Sequence, residues 1–164
     1  MLGFLLPTFT LSTIRAALYR RVFPGIGRRV SILSNMQIVG DGPGLYKRLL
    51  IGEGSLIGAH SILNLDGPIT IGRNVSLGPH VAIYTSTHLL GPGSRRMSLE
   101  VIARPVVIED GVWIGVRSTI LPGVVVGRGS VVGAGSVVAK NVPPDTMVVG
   151  NPAAPVQQLP WGDR

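Results

Sequence analysis

An aliphatic residue recurs every six positions along most of this chain. A two-residue skip and one longer gap interrupt the step, which otherwise holds at Ile51, Ile57, Leu63, Ile71, Leu77, Ile83, Ile108, Ile114, Ile120, Val126, Val132 and Val138. Glycine follows in seven of these twelve cases. A period of six matches neither the 3.6-residue period of a helix nor the strict alternation of an ordinary strand.

Each six-residue unit predicts one short strand and one turn, with the aliphatic side chain pointing inward. Glycine, asparagine or aspartate suits the corner, where positive φ is least costly. Three units make one triangular turn, and successive turns stack as parallel strands about 4.8 Å apart. The twelve units therefore predict four turns, with the skip at Gly67-Pro68 absorbed at a corner.

The composition agrees with such a coil. The chain has 164 residues, 23 of them glycine, and it is 45% hydrophobic but only 5% aromatic. This length favours a single domain. There is no cysteine, which excludes disulfides, thiol catalysis and thiolate metal sites, and which fits a reducing compartment such as the cytoplasm.

Positive charge is concentrated at the N-terminal end. The net charge is +7, and residues 1–48 hold seven basic residues against Asp41 alone. This asymmetry predicts contact with an anionic surface or ligand. We expect no nucleic-acid partner, because no helix-turn-helix, zinc or aromatic RNA-binding signature accompanies the charge.

Residues 1–27 are predicted to form a basic helical segment, with an amphipathic helix at 10–23. Leu11, Ile14, Leu18 and Val22 fall on one stripe, away from the arginines. We expect this helix to pack on the rest of the protein, and a basic helix lying on anionic lipid is the alternative. The uncharged run 1–14 is too short for a membrane span, and it lacks the pattern of a signal peptide.

Residues 28–153 resemble the hexapeptide-repeat acyltransferases, whose repeat signature they carry. The resemblance implies an all-β fold, a left-handed parallel β-helix, here with a short N-terminal helix, one extruded loop at about 89–104 and a tail at 154–164. It also implies a homotrimer with active sites between subunits. Exposed apolar flanks and open strand edges make association a physical expectation as well.

His88 is the candidate general base. It ends the motif YTSTH just before the repeat breaks, and PVVIEDGVWIGVRSTILPGVVVG follows at 105–127. Together these stretches resemble the sugar acetyltransferase branch, in which a histidine in this kind of position activates the acceptor. A neutral imidazole can take a proton from a sugar hydroxyl as that hydroxyl attacks a thioester. We expect direct transfer from acetyl-CoA without an acyl-enzyme.

The resemblance also implies residues that bind the donor and the acceptor. The predicted cofactor-binding residues are Trp113, Gly115, Arg117, Ser118, Ala134, Gly135 and Lys140, and the predicted acceptor-binding residues are Asn64, Tyr84, Arg95 and Arg96. Trp113 is alternatively an apolar contact between subunits, and Lys140 an exposed corner residue. The three arginines of the loop, Arg95, Arg96 and Arg104, could pair with phosphate or carboxylate groups, or they could keep the loop soluble. Two departures are visible: Ala154 stands where many relatives have a basic residue, and no asparagine lies near Gly58.

His60 and His80 occupy equivalent places in their repeat units, which predicts that they stack at one corner. A zinc hydratase of the gamma carbonic anhydrase type would need three histidines that converge between subunits. The His-x4-His pair typical of that family is missing, and no carboxylate is nearby, so we expect no metal.

The leading hypothesis is an acetyl-CoA-dependent O-acetyltransferase acting on a sugar hydroxyl of a polysaccharide or glycolipid precursor. We expect it to be cytoplasmic, with membrane association through the basic N-terminal segment as an open alternative. The other hypotheses are N-acylation of an amino sugar or an antibiotic, the zinc hydratase, and a non-catalytic β-helix that serves assembly.

Overall fold

The computed structural model describes residues 11–160, which form one helix and eighteen short strands. Residues 1–10 of the predicted N-terminal segment and 161–164 of the predicted tail lie outside the described residues. The elements are α1 (Ser12–Val22), β1 (Ser31–Ile32), β2 (Gln37–Val39), β3 (Leu49–Ile51), β4 (Leu56–Ile57), β5 (Ile62–Asn64), β6 (Ile69–Ile71), β7 (Ser76–Leu77), β8 (Ala82–Ile83), β9 (Ser86–Leu90), β10 (Met97–Ala103), β11 (Val106–Ile108), β12 (Trp113–Ile114), β13 (Thr119–Ile120), β14 (Val125–Val126), β15 (Val131–Val132), β16 (Val137–Val138), β17 (Thr146–Gly150) and β18 (Ala153–Gln158). A short 3-10 turn covers Leu45–Lys47.

The strands build three flat faces of a prism, which the chain visits in turn. Face 1 holds β1, β4, β7, β12, β15, β17 and β18; face 2 holds β2, β5, β8, β13 and β16; face 3 holds β3, β6, β11 and β14. Pairing between successive coils is parallel, as in Trp113 with Val131, which are 18 positions apart. Leu56 pairs with Ser76, 20 positions apart, so the skip at Gly67-Pro68 is absorbed as predicted.

The core of the prism is the aliphatic column that the repeat predicts. None of the twelve repeat positions is more than 1% exposed. Serines fill other inward positions and bond to the backbone of the next coil, as Ser55 Oγ does to the carbonyl of Gly72 at 2.8 Å. No buried side-chain nitrogen or oxygen within residues 11–160 lacks a hydrogen-bond partner.

One further coil precedes those that the repeat predicts. Ile26, Ile32 and Ile38 are also six residues apart; Ile32 lies in β1, Ile38 in β2, and Ile26 bridges to Ile51 on face 3. Residues 39–48 then interrupt the step before Ile51, which hides these three positions in the sequence. The coil therefore begins inside the segment predicted to be helical at 1–27.

The N-terminal helix packs on this first coil through a face that the sequence does not suggest. Ala16 is fully buried, and Arg15, only 6% exposed, donates to the carbonyl of Ile32 at 2.8 Å. The apolar stripe instead faces outward: Leu11, Ile14, Leu18 and Val22 are 40–60% exposed. The helix thus packs on the protein as expected, but its stripe is not the packing face.

The predicted extruded loop is a β-hairpin. Strands β9 and β10 pair antiparallel, with Ser86 opposite Ala103 and His88 opposite Val101. The excursion therefore spans 86–103 and begins before His88, rather than at 89, so the histidine lies on the hairpin and not on the coil. The predicted tail from 154 is likewise partly ordered, because β18 pairs antiparallel with β17.

Candidate active site

His88 lies on the hairpin, where an irregularity in the strand pairing brings a carbonyl to its ring. His88 pairs with Val101 and Leu90 with Met97, so a single residue of β9, Leu89, lies opposite three residues of β10, 98–100. Such bulges re-aim groups and are common beside active sites. Here the carbonyl oxygen of Ser98 lies 2.8 Å from His88 Nδ1.

This contact selects the tautomer of the ring. A carbonyl oxygen can only accept a hydrogen bond, so Nδ1 of the neutral His88 ring carries the proton and donates it to Ser98. The other nitrogen, Nε2, then has a free lone pair. His88 is exposed, so this nitrogen is able to take a proton from a bound molecule.

A polar network ties the base of the hairpin to the coil beneath it. The Asn64 side chain accepts from the backbone N–H of Thr85 at 3.1 Å and donates to Asp66 Oδ2 at 2.9 Å. Ser86 Oγ donates to the same carboxylate oxygen at 2.6 Å. The hydrogen bonds from Ser86 and Asn64 lower the pKa of Asp66 below its ordinary 3.8, and the charge of Arg48 lowers it further.

The sequence analysis did not anticipate this network. Thr85 is fully buried at the position that Leu65 occupies on the preceding coil. A hydroxyl residue at an inward position that is otherwise aliphatic is the feature of the sequence that could have indicated a polar network here. Asn64, predicted to bind the acceptor, is only 5% exposed, and its amide is engaged with Asp66 and Thr85.

A groove of about 410 Å³ runs between the hairpin and the coil. Its lining includes the predicted Tyr84 together with Ser86, Thr87, Ile102, Arg104, Leu121, Pro122 and Ala139. Arg104, absent from the predicted site residues, adds a positive charge here. The predicted Arg95 and Arg96 lie farther out, exposed at the tip of the hairpin, where the backbone carbonyl of Arg96 accepts from the N–H of Gly91 at 2.8 Å.

Most of the predicted cofactor-binding residues lie at another edge of the prism. Trp113, 58% exposed, points outward from face 1. Arg117 and Ala134 are exposed at the corner between faces 1 and 2, and Gly135 adopts φ +70° there. A side chain at Gly115 would collide with the backbone of Ala134, so glycine allows the close approach of these coils.

Two of the predicted residues differ from the rest of that set. Ser118 is fully buried, its hydroxyl donates to the carbonyl of Gly133 at 3.0 Å, and its own carbonyl accepts from the N–H of Ala82 at 2.9 Å, so its side chain is not available to a ligand. Lys140 is exposed just after β16, at the edge that carries the hairpin.

The two edges are separated by the full width of face 2. His80 marks the first edge and Tyr84 the second, four residues along the same coil, which corresponds to about 13 Å at about 3.3 Å per residue. The hairpin that holds His88 leaves the coil at the second edge, since β9 begins at Ser86. Within one copy of residues 11–160, the predicted base and the predicted cofactor track therefore do not meet.

His60 and His80 stack as predicted, with ring centroids 5.2 Å apart. Both adopt φ of 58°, and Arg117 does the same on the next coil. Within residues 11–160 no group of three or more histidine, cysteine, aspartate or glutamate side chains is arranged to hold a metal ion.

Comparison with known proteins identifies the family. A solved hexapeptide-repeat-containing acetyltransferase from Vibrio cholerae superposes with a TM-score of 0.81; it is 37% identical, and the match covers 92% of this chain and 82% of that one. The chain belongs to the hexapeptide-repeat acetyltransferases. Residues 105–140 match the family described as bacterial transferase hexapeptide (six repeats), and residues 48–84 match the hexapeptide repeat of succinyl-transferase. The predicted fold class, a left-handed parallel β-helix, is confirmed.

Other members of the hexapeptide-repeat acetyltransferases extend the comparison. The Vibrio cholerae protein has also been solved in complex with acetyl-CoA. A maltose O-acetyltransferase from Clostridium difficile superposes with a TM-score of 0.76 at 34% identity, covering 90% of this chain and 75% of that one. A galactoside O-acetyltransferase of Lactococcus lactis is 37% identical over 106 residues, 65% of this chain and 51% of its own length. The chain spans about half the length of the curated relatives it matches, between 44% and 56%.

Proposed function

We propose that this protein transfers the acetyl group of acetyl-CoA to a sugar hydroxyl, with His88 as the general base. The observation that carries the proposal is the contact of His88 Nδ1 with the Ser98 carbonyl, which leaves Nε2 as the acceptor nitrogen. The related protein solved with acetyl-CoA supports the donor, and the relatives named for maltose and galactoside acetylation support the acceptor class.

In this mechanism His88 acts first as a general base and then as a general acid. Nε2 takes the proton of the acceptor hydroxyl as that oxygen bonds to the thioester carbonyl carbon. The Ser98 carbonyl stabilises the imidazolium through the Nδ1–H bond. The carbon–sulfur bond then breaks, and Nε2 returns the proton to the departing thiolate, so the products are an acetyl ester and free CoA. A backbone N–H at a coil corner is the proposed donor to the developing oxyanion.

We propose that the site is completed between copies of the chain, in a homotrimer. The predicted cofactor track and His88 lie at different edges of face 2, about 13 Å apart at about 3.3 Å per residue, so the edge of one copy has to meet the hairpin of the next. Trp113 and Val116, 58% and 41% exposed, are the large apolar side chains that such a contact would cover. Lys140, on the hairpin edge, would then face the phosphates of a cofactor bound to the neighbouring copy.

The groove beneath the hairpin is the proposed acceptor site. Tyr84 and Thr87 offer hydroxyls to a sugar, and Arg104 adds a positive charge suited to an acidic group. Arg95 and Arg96 at the hairpin tip extend this charge outward. We infer an anionic or lipid-linked glycan precursor as the acceptor, and a cytoplasmic enzyme, because acetyl-CoA is supplied there.

The direct test is a screen of CoA release against sugars and glycan intermediates, followed by variants on the productive acceptor. His88→Ala is expected to lower kcat by at least about 100-fold, the range of a lost general base, while acetyl-CoA still shifts the melting temperature of the variant. The matched control is His60→Asn, an exposed histidine that the mechanism does not use; asparagine tolerates its φ of 58°. Undiminished turnover in His88→Ala would remove His88 from the mechanism.

A further inference from the structure

The N-terminal helix presents an apolar stripe that nothing in residues 11–160 covers. Leu11, Ile14, Leu18 and Val22 are 40%, 51%, 54% and 60% exposed. Leu18 and Val22 also line a shallow groove with Tyr19 and Phe23. Contiguous apolar patches on a surface mark contact sites, whereas single exposed apolar residues are ordinary.

The helix is held so that this stripe has to face outward. Arg15 donates to the carbonyls of Ile32 and Leu33 at 2.8 and 2.9 Å, and Arg20 donates to the carbonyl of Ile26 at 2.8 Å. At 100° per residue, the stripe is turned from the packing face by roughly 110°. Rotating the helix to bury the stripe would break the arginine bonds and expose Ala16, so the outward stripe is built into the fold.

The charged side chains of the helix and of the residues that follow it to position 30 are all positive. Residues 11–30 contain five arginines and no acidic residue. Arg21, at the edge of the stripe, and Arg28 are exposed; Arg29 pairs with Glu53 at 3.2 Å. Apolar side chains flanked by arginines suit the boundary between the acyl chains and the headgroups of an anionic membrane.

The sequence immediately before the helix has the same character. Residues 1–10, MLGFLLPTFT, carry no charged side chain and six large apolar ones.

We propose that the outward stripe of α1 docks on an anionic lipid surface. A protein partner fits less well: an eleven-residue helix is about 16 Å long and about 10 Å wide, so it offers on the order of 160 Å² against the roughly 800 Å² per partner of a stable interface. A second copy docked through the same stripe would also bring the Arg21 side chains of both copies into one interface. The docking goes beyond acyl transfer and does not depend on it.

The test is co-sedimentation of the full chain with vesicles of phosphatidylglycerol and phosphatidylcholine, against vesicles of phosphatidylcholine alone. The wild type is expected to bind the anionic vesicles and to be released by salt. The double variant Leu18→Asp/Val22→Asp is expected to bind at least about 10-fold more weakly, because two charges would enter the apolar boundary. Arg21→Gln/Arg28→Gln should weaken binding and reduce its dependence on salt.

The matched control is Val156→Asp, which changes a valine that is 57% exposed on β18, at the end of face 1 opposite the β1 strand that the helix contacts. It should bind as the wild type does, and circular dichroism should show every variant folded. Failure of the wild type to bind anionic vesicles would overturn the proposal. Binding of Leu18→Asp/Val22→Asp as tight as that of the wild type would overturn it too. So would light scattering that shows the wild type in a larger assembly, if the double variant dissociates that assembly and no vesicle binding is seen.

Discussion

Single residues at the base of the hairpin decide how firmly His88 is held. Asp66 accepts hydrogen bonds from Ser86 on the hairpin and from Asn64 on the coil beneath it. Its carboxylate therefore joins the excursion to the rigid prism. Because both donors favour the ionised form, the pKa of Asp66 is lowered below 3.8, and the carboxylate that accepts both hydrogen bonds is ionised at neutral pH.

Asp66→Asn is predicted to loosen the hairpin at neutral pH. The variant loses a charged acceptor, which corresponds to about 1 kcal/mol of stability, and hydrogen–deuterium exchange should be faster at the amides of 86–90 and 97–103. In the wild type the contribution of the carboxylate is complete above pH 3.8 and is lost as the pH falls through the lowered pKa of the folded state. The difference between the two proteins should therefore shrink at about pH 3.

Glu100→Gln is the control for this prediction, since Glu100 is an exposed carboxylate on the same hairpin. It should leave the exchange of the hairpin amides unchanged. If the exchange rates of Asp66→Asn and the wild type differed as much at about pH 3 as at neutral pH, the charge of Asp66 would not be what holds the hairpin.

At the scale of elements, α1 closes the N-terminal end of the coil through Arg15. This arginine is only 6% exposed and bonds to two carbonyls of the first coil. Arg15→Met is predicted to lower the free energy of unfolding by about 2 kcal/mol, because hydrogen bonds to a charged donor are lost and the carbonyls stay buried. The melting temperature should fall by several degrees. Arg21→Met, at an exposed site of the same helix, should change stability by less than about 0.5 kcal/mol, and an equal loss in both variants would contradict the role of Arg15.

The prism could be predicted from the sequence because its cause is local and repeated. Residues such as Ile57, Leu77 and Ile114 stack on one another in successive coils, so the repeat pattern directly identifies the side chains that fill the interior of the prism. The skip at Gly67-Pro68 was also predictable, since it adds two residues without changing which side chains point inward. The first coil was missed because residues 39–48 shift the step between Ile38 and Ile51.

The helix face and the hairpin could not be predicted in the same way. A helical stripe such as Ile14, Leu18 and Val22 normally indicates the buried face. Here the face that carries Arg15 is buried instead, because Arg15 donates to the carbonyls of the first coil. The pairing of β9 with β10 depends on a bulge whose residues show no clear alternation. Of the candidate site, the sequence predicted His88 but neither its bond to the Ser98 carbonyl nor the tie through Asp66.

At the scale of the whole molecule, a rigid prism carries the predicted base and most of the predicted cofactor-binding residues at separate edges. The repeat makes each edge straight, so the groups at one corner line up on successive coils, as His60, His80 and Arg117 do. A face only a few residues wide cannot bring two of its own edges together. The proposed reaction therefore depends on the arrangement of copies as much as on His88 itself.

Complementation between two inactive variants tests this central claim most directly. His88→Ala removes the base at the hairpin edge, and Ala134→Trp fills the exposed cofactor track at the other edge. Each variant alone should fail to transfer acetyl groups to the acceptor that the wild type uses. Unfolded together and refolded as an equal mixture, they should regain about a quarter of the wild-type activity, because about a quarter of the contacts between copies join two intact edges. A mixture as inactive as its components, with mixed oligomers demonstrated by mass spectrometry, would contradict a site built from two copies.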